Sequence, residues 1–389
     1  MRVLYLSYSN CIGGAELSLL SMVQEMKNRG HKVFLAMPYN TDTTYYKLIS
    51  PFCEEVIFLN WTPWSVFSSS QLMARLKNYL YQIYVSGGHL GVIYKLVRII
   101  RKRKIDLIHT NNTAVLQGGL AAKYCGKPHF WHIRELFNEA ENAIVKYRFS
   151  KNAERVRSIF SGLSSKIIVN SNFTFTSHKA YFDPEKVEVV YNGLEEEWFN
   201  SEIQLPKTPF RIGVVGNLTS RVKNHEFAIS ILAILLKEHW KSYELHLYGY
   251  VPEDSDPYLT SLRNMISKKG IQSRVYMHGS TPVSKIYSEI DVLLHPSKVE
   301  TFGRIYIEAM ASRVPVLAYE GGAASEVIEN GVSGYLTTDA DTAAQRINEL
   351  CKDKDLYTRI TEAGYKRARE KFRLTDQMDK LERLYKEAI

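Results

Sequence analysis

The sequence predicts an α/β fold in which two domains each contain a doubly wound parallel β-sheet. Short apolar runs alternate with helical patterns along the chain, and this alternation is typical of the βα units of parallel sheets. The segment EEEWFNSEIQLPKTP, acidic and then proline-bearing, separates two such series. A length of 389 residues also exceeds that of one ordinary domain.

The first series predicts a domain over residues 1–195. It opens with RVLYLSYS, a strand-like run that is followed by Gly13, Gly14 and a helical pattern over residues 15–29. Further strand-like runs follow, with helical segments between them: HKVFLAM, KIDLIHTNN, KPHFWHI and SKIIVNS.

The second series predicts a domain over residues 196–372. Its strand-like runs again alternate with helical patterns: FRIGVVGNL, YELHLYGY, SRVYMHGS, DVLLHPS and VPVLAYE. The last helical pattern, at residues 375–387, has no strand after it. Neither series therefore explains the place of this helix in the fold.

Composition excludes several classes of protein. Hydrophobic residues make up 45% and charged residues 23% of the chain, which is typical of globular proteins and not of disordered ones. The chain lacks an apolar run of about eighteen residues, and its first residues are too strand-like for a signal peptide. Four well-separated cysteines without metal-ligand spacing favour reduced thiols. We therefore expect a cytoplasmic protein.

Two loops that follow strands carry candidate phosphate-binding residues, because ligands of open α/β sheets bind beyond the carboxyl ends of the strands. Gly13 and Gly14 follow the first strand and lead into a helix, so the backbone there can approach an anion closely. Arg221 and Lys223 follow FRIGVVGNL and suit a diphosphate. A tight turn and a solvated basic loop are the alternatives, since neither loop has a dinucleotide or P-loop fingerprint.

The loop after DVLLHPS carries the sharpest signal. Glu300 lies in this loop, and Glu308 lies about two turns into a helix that is apolar on most faces. A buried carboxylate needs hydrogen-bond donors, and the vicinal hydroxyls of a sugar or ribose would supply them. The amides near Phe302 and Gly303, at the start of the helix, would face phosphates. The alternative is a purely structural pair of acids.

Together these motifs resemble those of the retaining glycosyltransferases of family 4, also called group 1. The family hallmark is a pair of glutamates separated by seven residues, as Glu300 and Glu308 are. The resemblance implies a GT-B fold: two Rossmann-like domains facing a central cleft, with residues 373–389 crossing back onto the N-terminal domain. The other similar segments are Gly13-Gly14-Ala15-Glu16, Val190-Tyr191-Asn192-Gly193, Val215-Gly216-Asn217-Leu218, Pro296-Ser297, Phe302-Gly303, Glu308-Ala309-Met310-Ala311, Pro315-Val316, Gly321-Gly322, Glu326 and the stretch from Gly331 to Gly334.

The resemblance assigns roles to several of these residues. It implies that Glu308 binds the ribose hydroxyls, that Glu300 contacts the donor sugar, and that Lys223 contacts the diphosphate. The amides of Thr301, Phe302 and Gly303 would lie against sugar and phosphate.

Other matched positions lie in the first domain or depart from the family pattern. Gly14, next to Gly13, would approach the phosphates. His132 takes the strand-end place of a family histidine beside the donor sugar, with a packing residue as the alternative. Asn217 stands where the family usually has an arginine, and Arg221 is the expected substitute in donor binding. Arg313 replaces a frequent glycine.

The implied activity is transfer of a sugar from a nucleotide diphosphate sugar to a glycan or lipid-linked acceptor in polysaccharide biosynthesis, with retained anomeric configuration. No cofactor or metal is expected, because helix termini with Lys223 and Arg221 would stabilise the leaving group. A sugar-nucleotide epimerase of the same fold and a non-enzymatic basic scaffold are the alternatives. The Asp-x-Asp spacing of metal-dependent transferases does occur, away from strand ends, at Asp254-Ser255-Asp256 and Asp339-Ala340-Asp341.

The net charge of +9 is concentrated in one stretch, because residues 56–105 contain eight basic residues and no acid. No nucleic-acid module accompanies this charge, so nucleic acid is not an expected partner. We expect the stretch to bind an anionic membrane surface, which would make the protein peripheral on the inner face of the membrane. The alternative is an ordinary helix with a solvated basic face. The apolar face carries Ile93, Leu96, Val97 and Ile100, the basic face carries Lys95, Arg98, Arg101 and Lys102, and the upstream aromatic residues are Trp61, Trp64, Phe67, Tyr79, Tyr81 and Tyr84.

Overall fold

The computed structural model describes residues 1–61, 65–67, 89–136, 145–147, 153–219, 221–238 and 242–389. Contacts divide the chain into two compact units. Unit 1 comprises Met1–Gly193 and Leu374–Ile389, and unit 2 comprises Leu194–Arg373. Each unit has its own parallel sheet with helices between the strands.

The described strands of unit 1 are β1 (Arg2–Leu6), β2 (Lys32–Met37), β3 (Glu55–Phe58), β4 (Ser65–Phe67), β5 (Leu107–Thr110), β6 (His129–Ile133), β7 (Val145–Tyr147), β8 (Lys166–Val169) and β9 (Val187–Val189). β4 and β7 pair with each other antiparallel, and the others form a parallel sheet in the order β3-β2-β1-β5-β6-β8-β9. The chain thus winds outward from β1 in one direction and then, from β5, in the other. This reversal between β1 and β5 is the topological switch point of unit 1.

The helices that connect these strands are α1 (Gly14–Asn28), α2 (Thr44–Ile49), α3 (residues 89–102), α4 (Leu116–Tyr124), α5 (Ala153–Leu163) and α6 (Asn172–His178). α1 begins directly after Gly13 and buries Leu19, Met22, Val23 and Met26, which recur at the spacing of one helical face. α3 buries Leu96, Val97 and Ile100 in a separate core on the sheet. The periodicity of the sequence therefore sets the buried side of both helices.

Unit 2 contains the strands β10 (Phe210–Val215), β11 (Tyr243–Tyr248), β12 (Val275–Met277), β13 (Val292–His295), β14 (Val316–Tyr319) and β15 (Tyr335–Thr337). They form a parallel sheet in the order β12-β11-β10-β13-β14-β15. Numbered along the chain, this is the 3-2-1-4-5-6 order of doubly wound Rossmann sheets. The switch point of unit 2 lies between β10 and β13.

The helices of unit 2 are α7 (His225–Glu238), α8 (Pro257–Lys268), α9 (Val283–Glu289), α10 (Arg304–Ala311), α11 (Ala324–Val327), α12 (Ala340–Lys352) and α13 (Lys354–Lys371). The side chains of Asp256, Asp339 and Asp353 accept backbone hydrogen bonds at the N-termini of α8, α12 and α13, respectively. These caps satisfy N–H groups that have no partner inside a helix. The starts of the three helices are thus encoded locally.

The C-terminal helix α14 (Leu374–Ala388) belongs to unit 1, although the chain reaches it from unit 2. It buries Met378, Leu381 and Tyr385 in the same core as α1. Arg29, directly after α1, pairs with Asp379 of α14 at 2.6 Å. The helix that follows no strand in the sequence therefore completes the first unit, as the family resemblance implies.

Within the described ranges, no helix is both long enough and apolar enough to cross a lipid bilayer.

Candidate active site

The switch point of unit 2 is surrounded by loops with charged residues. The loop after β10 leads through Lys223 to α7. The loop after β13 carries Glu300 and leads to α10. The carboxyl ends of parallel strands share one edge of the sheet, so the two loops lie side by side there.

Lys223 and Glu300 form an ion pair at this edge. Lys223 Nζ donates to Glu300 Oε1 at 2.6 Å, and His295 Nε2 lies 3.0 Å from the same oxygen. Burial opposes ionisation of Glu300, but the charge of Lys223 and the hydrogen bond from His295 hold the pKa of the carboxyl well below its ordinary value. The Lys223 and Glu300 side chains are 32% and 20% exposed, so a ligand can reach both.

Two glycines fix the backbone on either side of this pair. Gly303 precedes α10 in the left-handed region, with φ 77°, and a Cβ there would collide with the ring of Tyr306. Gly322, with φ 59°, lies against the main chain of Glu300, which a Cβ would also strike. Ala323 N donates to Glu300 O at 2.9 Å. Only glycine combines a positive φ angle with the lack of a Cβ at these two positions without strain. The loop therefore holds the Glu300 backbone firmly.

Glu308 is the fifth residue of α10, about one turn from the helix start and not two turns as the sequence predicts. The difference arises because the left-handed Gly303 delays the helix start to Arg304. The carboxylate is buried, with 6% of the residue exposed. Protein donors already contact it: Arg304 Nε donates to Oε1 at 2.7 Å, and the Tyr287 hydroxyl shares its proton between Oε2 at 3.3 Å and Ile305 O at 3.2 Å.

These two partners of Glu308 were not predicted from the sequence. The i, i+4 spacing of Arg304 and Glu308 on one helix was a usable signal for the first partner. Nothing in the sequence indicates Tyr287, which reaches Glu308 from α9. Burial raises the pKa of Tyr287 well above its ordinary value, and the charge of Glu308 raises it further. The phenol therefore stays protonated and acts as a donor.

The remaining predicted residues of unit 2 have other contacts. The Asn217 side chain accepts a hydrogen bond from Tyr250 N at 3.0 Å. The Arg221 guanidinium lies over the ring of Tyr258, 5.8 Å from its centroid. Phe302 is buried and Thr301 is half-buried. The structure thus brings Lys223 and Glu300 together, whereas Asn217 and Arg221 contact other residues.

Three predicted residues lie in unit 1. Gly13 precedes α1 with an extended backbone, and Gly14 is the exposed first residue of that helix. His132 lies in β6, one residue before the strand ends, and is completely buried. Burial lowers the pKa of His132 well below its ordinary value, and the nearby Arg134 lowers it further, so the ring is neutral. Its Nδ1 atom lies 3.4 Å from the Arg134 guanidinium.

A polar cluster directly after β6 was also not predicted from the sequence. Arg134 donates to Asn111 Oδ1 at 2.9 Å and to Asn192 Oδ1 at 2.6 Å. The carboxylate of Glu135 accepts a hydrogen bond from Thr113 N at 2.6 Å, although burial raises its pKa. The position of Arg134 and Glu135 immediately after a strand-like run was the signal that could have found them.

The two Asp-x-Asp segments have structural partners. Asp256 and Asp339 cap helices, as described above, and Asp254 pairs with Arg263 at 2.8 Å. In the part of the chain that the structure describes, no group of three His, Cys, Asp or Glu residues is arranged to hold a metal ion.

α3 has the amphipathic arrangement that the sequence predicts, with Ile93 partly buried and the basic residues exposed. Tyr94 is 63% exposed and lies under Arg98, 5.9 Å from its guanidinium. We call the exposed residues Tyr94, Lys95, Arg98, Arg101 and Lys102 the basic surface. Of the upstream aromatic residues, Trp61 donates to Ser7 O at 2.6 Å. Trp64, Tyr79, Tyr81, Tyr84 and the side chain of Phe67 lie outside the described residues.

Comparison with known protein families matches the two halves of the chain separately. Residues 12–198 match the model described as Glycosyltransferase Family 4. Residues 196–367 match the model described as Glycosyl transferases group 1. The second match contains the Lys223–Glu300 pair and Glu308, and the first contains His132.

Individual proteins are similar at lower identity. CapM, a capsular polysaccharide biosynthesis glycosyltransferase of Staphylococcus aureus, is 28% identical over 207 residues, which are 52% of this chain and 51% of CapM. The chain thus matches about half the length of such curated relatives.

Solved structures resemble the whole chain, among them the following two. The crystal structure of Anabaena HepE in complex with UDP has a TM-score of 0.77 at 22% identity, covering 98% of this chain and 99% of HepE. Sucrose-phosphate synthase of Thermosynechococcus elongatus has a TM-score of 0.73 at 17% identity, covering 100% and 99%. These likenesses and the two parallel sheets confirm the predicted GT-B fold.

Proposed function

Because the chain belongs to the group 1 glycosyltransferases of family 4, we propose that it transfers a sugar from a nucleotide diphosphate donor to an acceptor with retained anomeric configuration. The observation that carries the proposal is the Lys223–Glu300 pair at the switch point of unit 2. Lys223 offers a cation to a diphosphate, and Glu300 offers an acceptor to hydroxyl groups. A nucleotide diphosphate sugar combines these two features, and the UDP bound to HepE supports a donor of this class.

α10 supplies the next contact in this proposal. Each oxygen of Glu308 accepts one hydrogen bond, from Arg304 or Tyr287, and a carboxylate oxygen has room for a second. The ribose hydroxyls would add to these donors instead of replacing them. The Arg304 guanidinium also lies 3.4 Å from Glu195, so the positive charge beside Glu308 is itself held in place.

Catalysis in this scheme consists of stabilising the departing diphosphate. Lys223 and Arg221, with Asn217 beside them in sequence, would provide charge and hydrogen bonds. The amides of Thr301, Phe302 and Gly303 at the start of α10 would provide backbone donors. No metal takes part, and we assign no carboxylate as nucleophile. From unit 1 the contribution would come from His132 and from the turn at Gly13 and Gly14.

We assign the acceptor to a cavity of about 410 Å³ at the carboxyl ends of β1, β2 and β3. Among the described residues, its lining combines aromatic rings with amide and hydroxyl groups and contains no charged side chain, which suits a neutral glycan. The name of CapM supports an acceptor in polysaccharide biosynthesis. The lining residues are Tyr8, Ser9, Asn10, Pro38, Tyr39, Asn40, Asn60 and Trp61.

A lipid-linked acceptor would bring the protein to a membrane, and the basic surface of α3 is the region that would meet it. A lysine or arginine near an anionic bilayer contributes about 1 kcal/mol to binding. Four such residues on one exposed face would therefore support reversible attachment. We place the enzyme on the cytoplasmic side, where its four free cysteines would stay reduced.

A panel of nucleotide sugars, assayed for binding and for turnover with glycan and polyprenyl-linked acceptors, tests the proposal. We expect one donor to bind saturably and to transfer its sugar to an added acceptor. Lys223→Ala should abolish this transfer, whereas Lys237→Ala, which removes an exposed lysine from the last turn of α7, should not. Conversion of the donor to a different free nucleotide sugar without acceptor would indicate an epimerase, and a lack of nucleotide binding would indicate a non-enzymatic scaffold.

A further inference from the structure

Glu300 has a second hydrogen-bond partner besides Lys223, the imidazole of His295. His295 is the last residue of β13 and is 1% exposed. Its Nε2 atom lies 3.0 Å from Glu300 Oε1, the oxygen that also accepts from Lys223 at 2.6 Å. One donor therefore comes from a strand end in the core, and the other comes from the tip of a long, partly exposed side chain.

The environment of His295 specifies its protonation. The Nδ1 atom is buried and has no hydrogen-bond partner among the described residues, so the donor to Glu300 is Nε2–H. Burial lowers the pKa of His295, the bond to Glu300 raises it, and Lys223 lowers it again, with a net decrease. The ring is therefore neutral at neutral pH and donates to Glu300 without adding a charge.

The surroundings of His295 also keep the ring in place. Tyr306 of α10 contacts it edge to face, with 5.1 Å between ring centroids. Burial raises the pKa of Tyr306 and lowers the pKa of His225, so both neighbours are neutral. Glu300 and Lys223 are thus the charged groups that act on the ring among the described residues.

We propose that His295 is a positioning residue for the transfer reaction and holds the Glu300 carboxylate when Lys223 binds the diphosphate. The inference rests on the proposed function, because it needs Lys223 to contact a phosphate. A diphosphate carries more charge than one carboxylate and competes for the ammonium group. The His295 ring cannot move toward the diphosphate with Lys223, since it is buried at the end of a strand. The Nε2–H bond is therefore the contact that keeps Glu300 oriented toward the sugar.

Steady-state kinetics of His295→Leu and His295→Gln test this role, because glutamine retains an N–H donor and leucine does not. We expect His295→Leu to lower kcat about thirtyfold, with the KM for the donor changed less than about twofold. His295→Gln should recover most of the lost kcat. His246→Leu is the matched control, because His246 pairs with Glu244 at 3.4 Å elsewhere in unit 2 and should leave kcat unchanged.

A second measurement does not depend on activity. Lys223→Ala mimics the state in which the lysine has left Glu300, and ¹³C NMR of labelled glutamate, assigned with Glu300→Gln, follows the carboxyl in that background. Addition of His295→Leu should raise the pKa of Glu300 by about one unit. An unchanged pKa of Glu300 would overturn the positioning role. The same would follow if the leucine and glutamine variants lost kcat to the same extent and Tm to the same extent. A parent protein that transfers no sugar would instead refute the proposed function, and the NMR result would still report on the bond.

Discussion

The switch points of the two units share one strand order and differ in electrostatic character. In unit 2 the Lys223–Glu300 ion pair is partly exposed. In unit 1 the end of β6, next to the switch point, holds His132, which is neutral and completely buried, and Arg134, which is 8% exposed and bonded to two asparagines. The topology therefore sets where a ligand can bind, and the loop residues set what chemistry is available there.

The difference also determines which contacts a ligand can exchange. Arg134 is nearly buried, so loss of its two asparagine partners would remove hydrogen bonds from a buried charge, at a cost in free energy. Lys223 and Glu300 are partly exposed, and a ligand with complementary charges can take the place of either partner. Unit 1 thus holds a fixed polar framework, whereas unit 2 holds charges that can change partners.

The largest expected effect on nucleotide binding concerns Glu308. In Glu308→Ala, we expect nucleotide affinity to fall about a thousandfold, because two hydrogen bonds to a charged acceptor, each worth about 2 kcal/mol, would be lost. Calorimetric titration with the bare nucleotide measures this. Glu362→Ala, which breaks the Arg313–Glu362 pair in the same unit, serves as control and should bind like the parent. Unchanged nucleotide affinity in Glu308→Ala would show that Glu308 does not bind the ribose and has only a structural role.

The next effect separates sugar contact from nucleotide contact. Glu300→Gln keeps the shape of the side chain but removes the charge that Lys223 and His295 stabilise. We expect turnover to fall about a hundredfold, with nucleotide affinity changed less than about threefold. Initial rates at saturating donor, together with titration of the nucleotide, give the two quantities. An equal loss of turnover and of nucleotide affinity would indicate that Glu300 contacts the nucleotide and not the sugar.

Some features of the fold and of the site could be predicted from the sequence, and others could not. Alternating apolar runs predicted both sheets, because the two periodicities of strand and helix are local properties. Glu300 and Lys223 were found because each follows a strand. Tyr287 was not found, since it reaches Glu308 only through packing of α9. The depth of Glu308 in its helix was misjudged because the left-handed conformation of Gly303 is a backbone property that apolar periodicity does not report.

A smaller effect concerns the basic surface of α3 in unit 1. Replacement of Arg98, Arg101 and Lys102 by Gln should weaken binding to anionic liposomes about thirtyfold at low salt, because about 1 kcal/mol per charge is partly screened. Flotation assays at low and high salt measure this. In the matched control, three exposed lysines of unit 2, Lys352, Lys366 and Lys371, are replaced by Gln, and this variant should bind liposomes like the parent. Parent protein that fails to float at low salt would exclude the membrane surface as a partner.

The smallest expected effect is that of EDTA, which should leave the rate of transfer unchanged. This experiment tests whether the charges at the switch point of unit 2 are enough to stabilise the diphosphate without a metal ion. A metal would be needed if the diphosphate found too little positive charge, but in the proposed function Lys223, Arg221 and the start of α10 supply cations and backbone donors. Asp256 and Asp339, two of the four aspartates at Asp-x-Asp spacing, cap helices, and Asp254 pairs with Arg263. Initial rates with and without EDTA should therefore agree within error. Complete loss with EDTA that is restored by Mn²⁺ would mean that a metal carries the leaving-group charge, and the contrast between the two units would then need a different explanation.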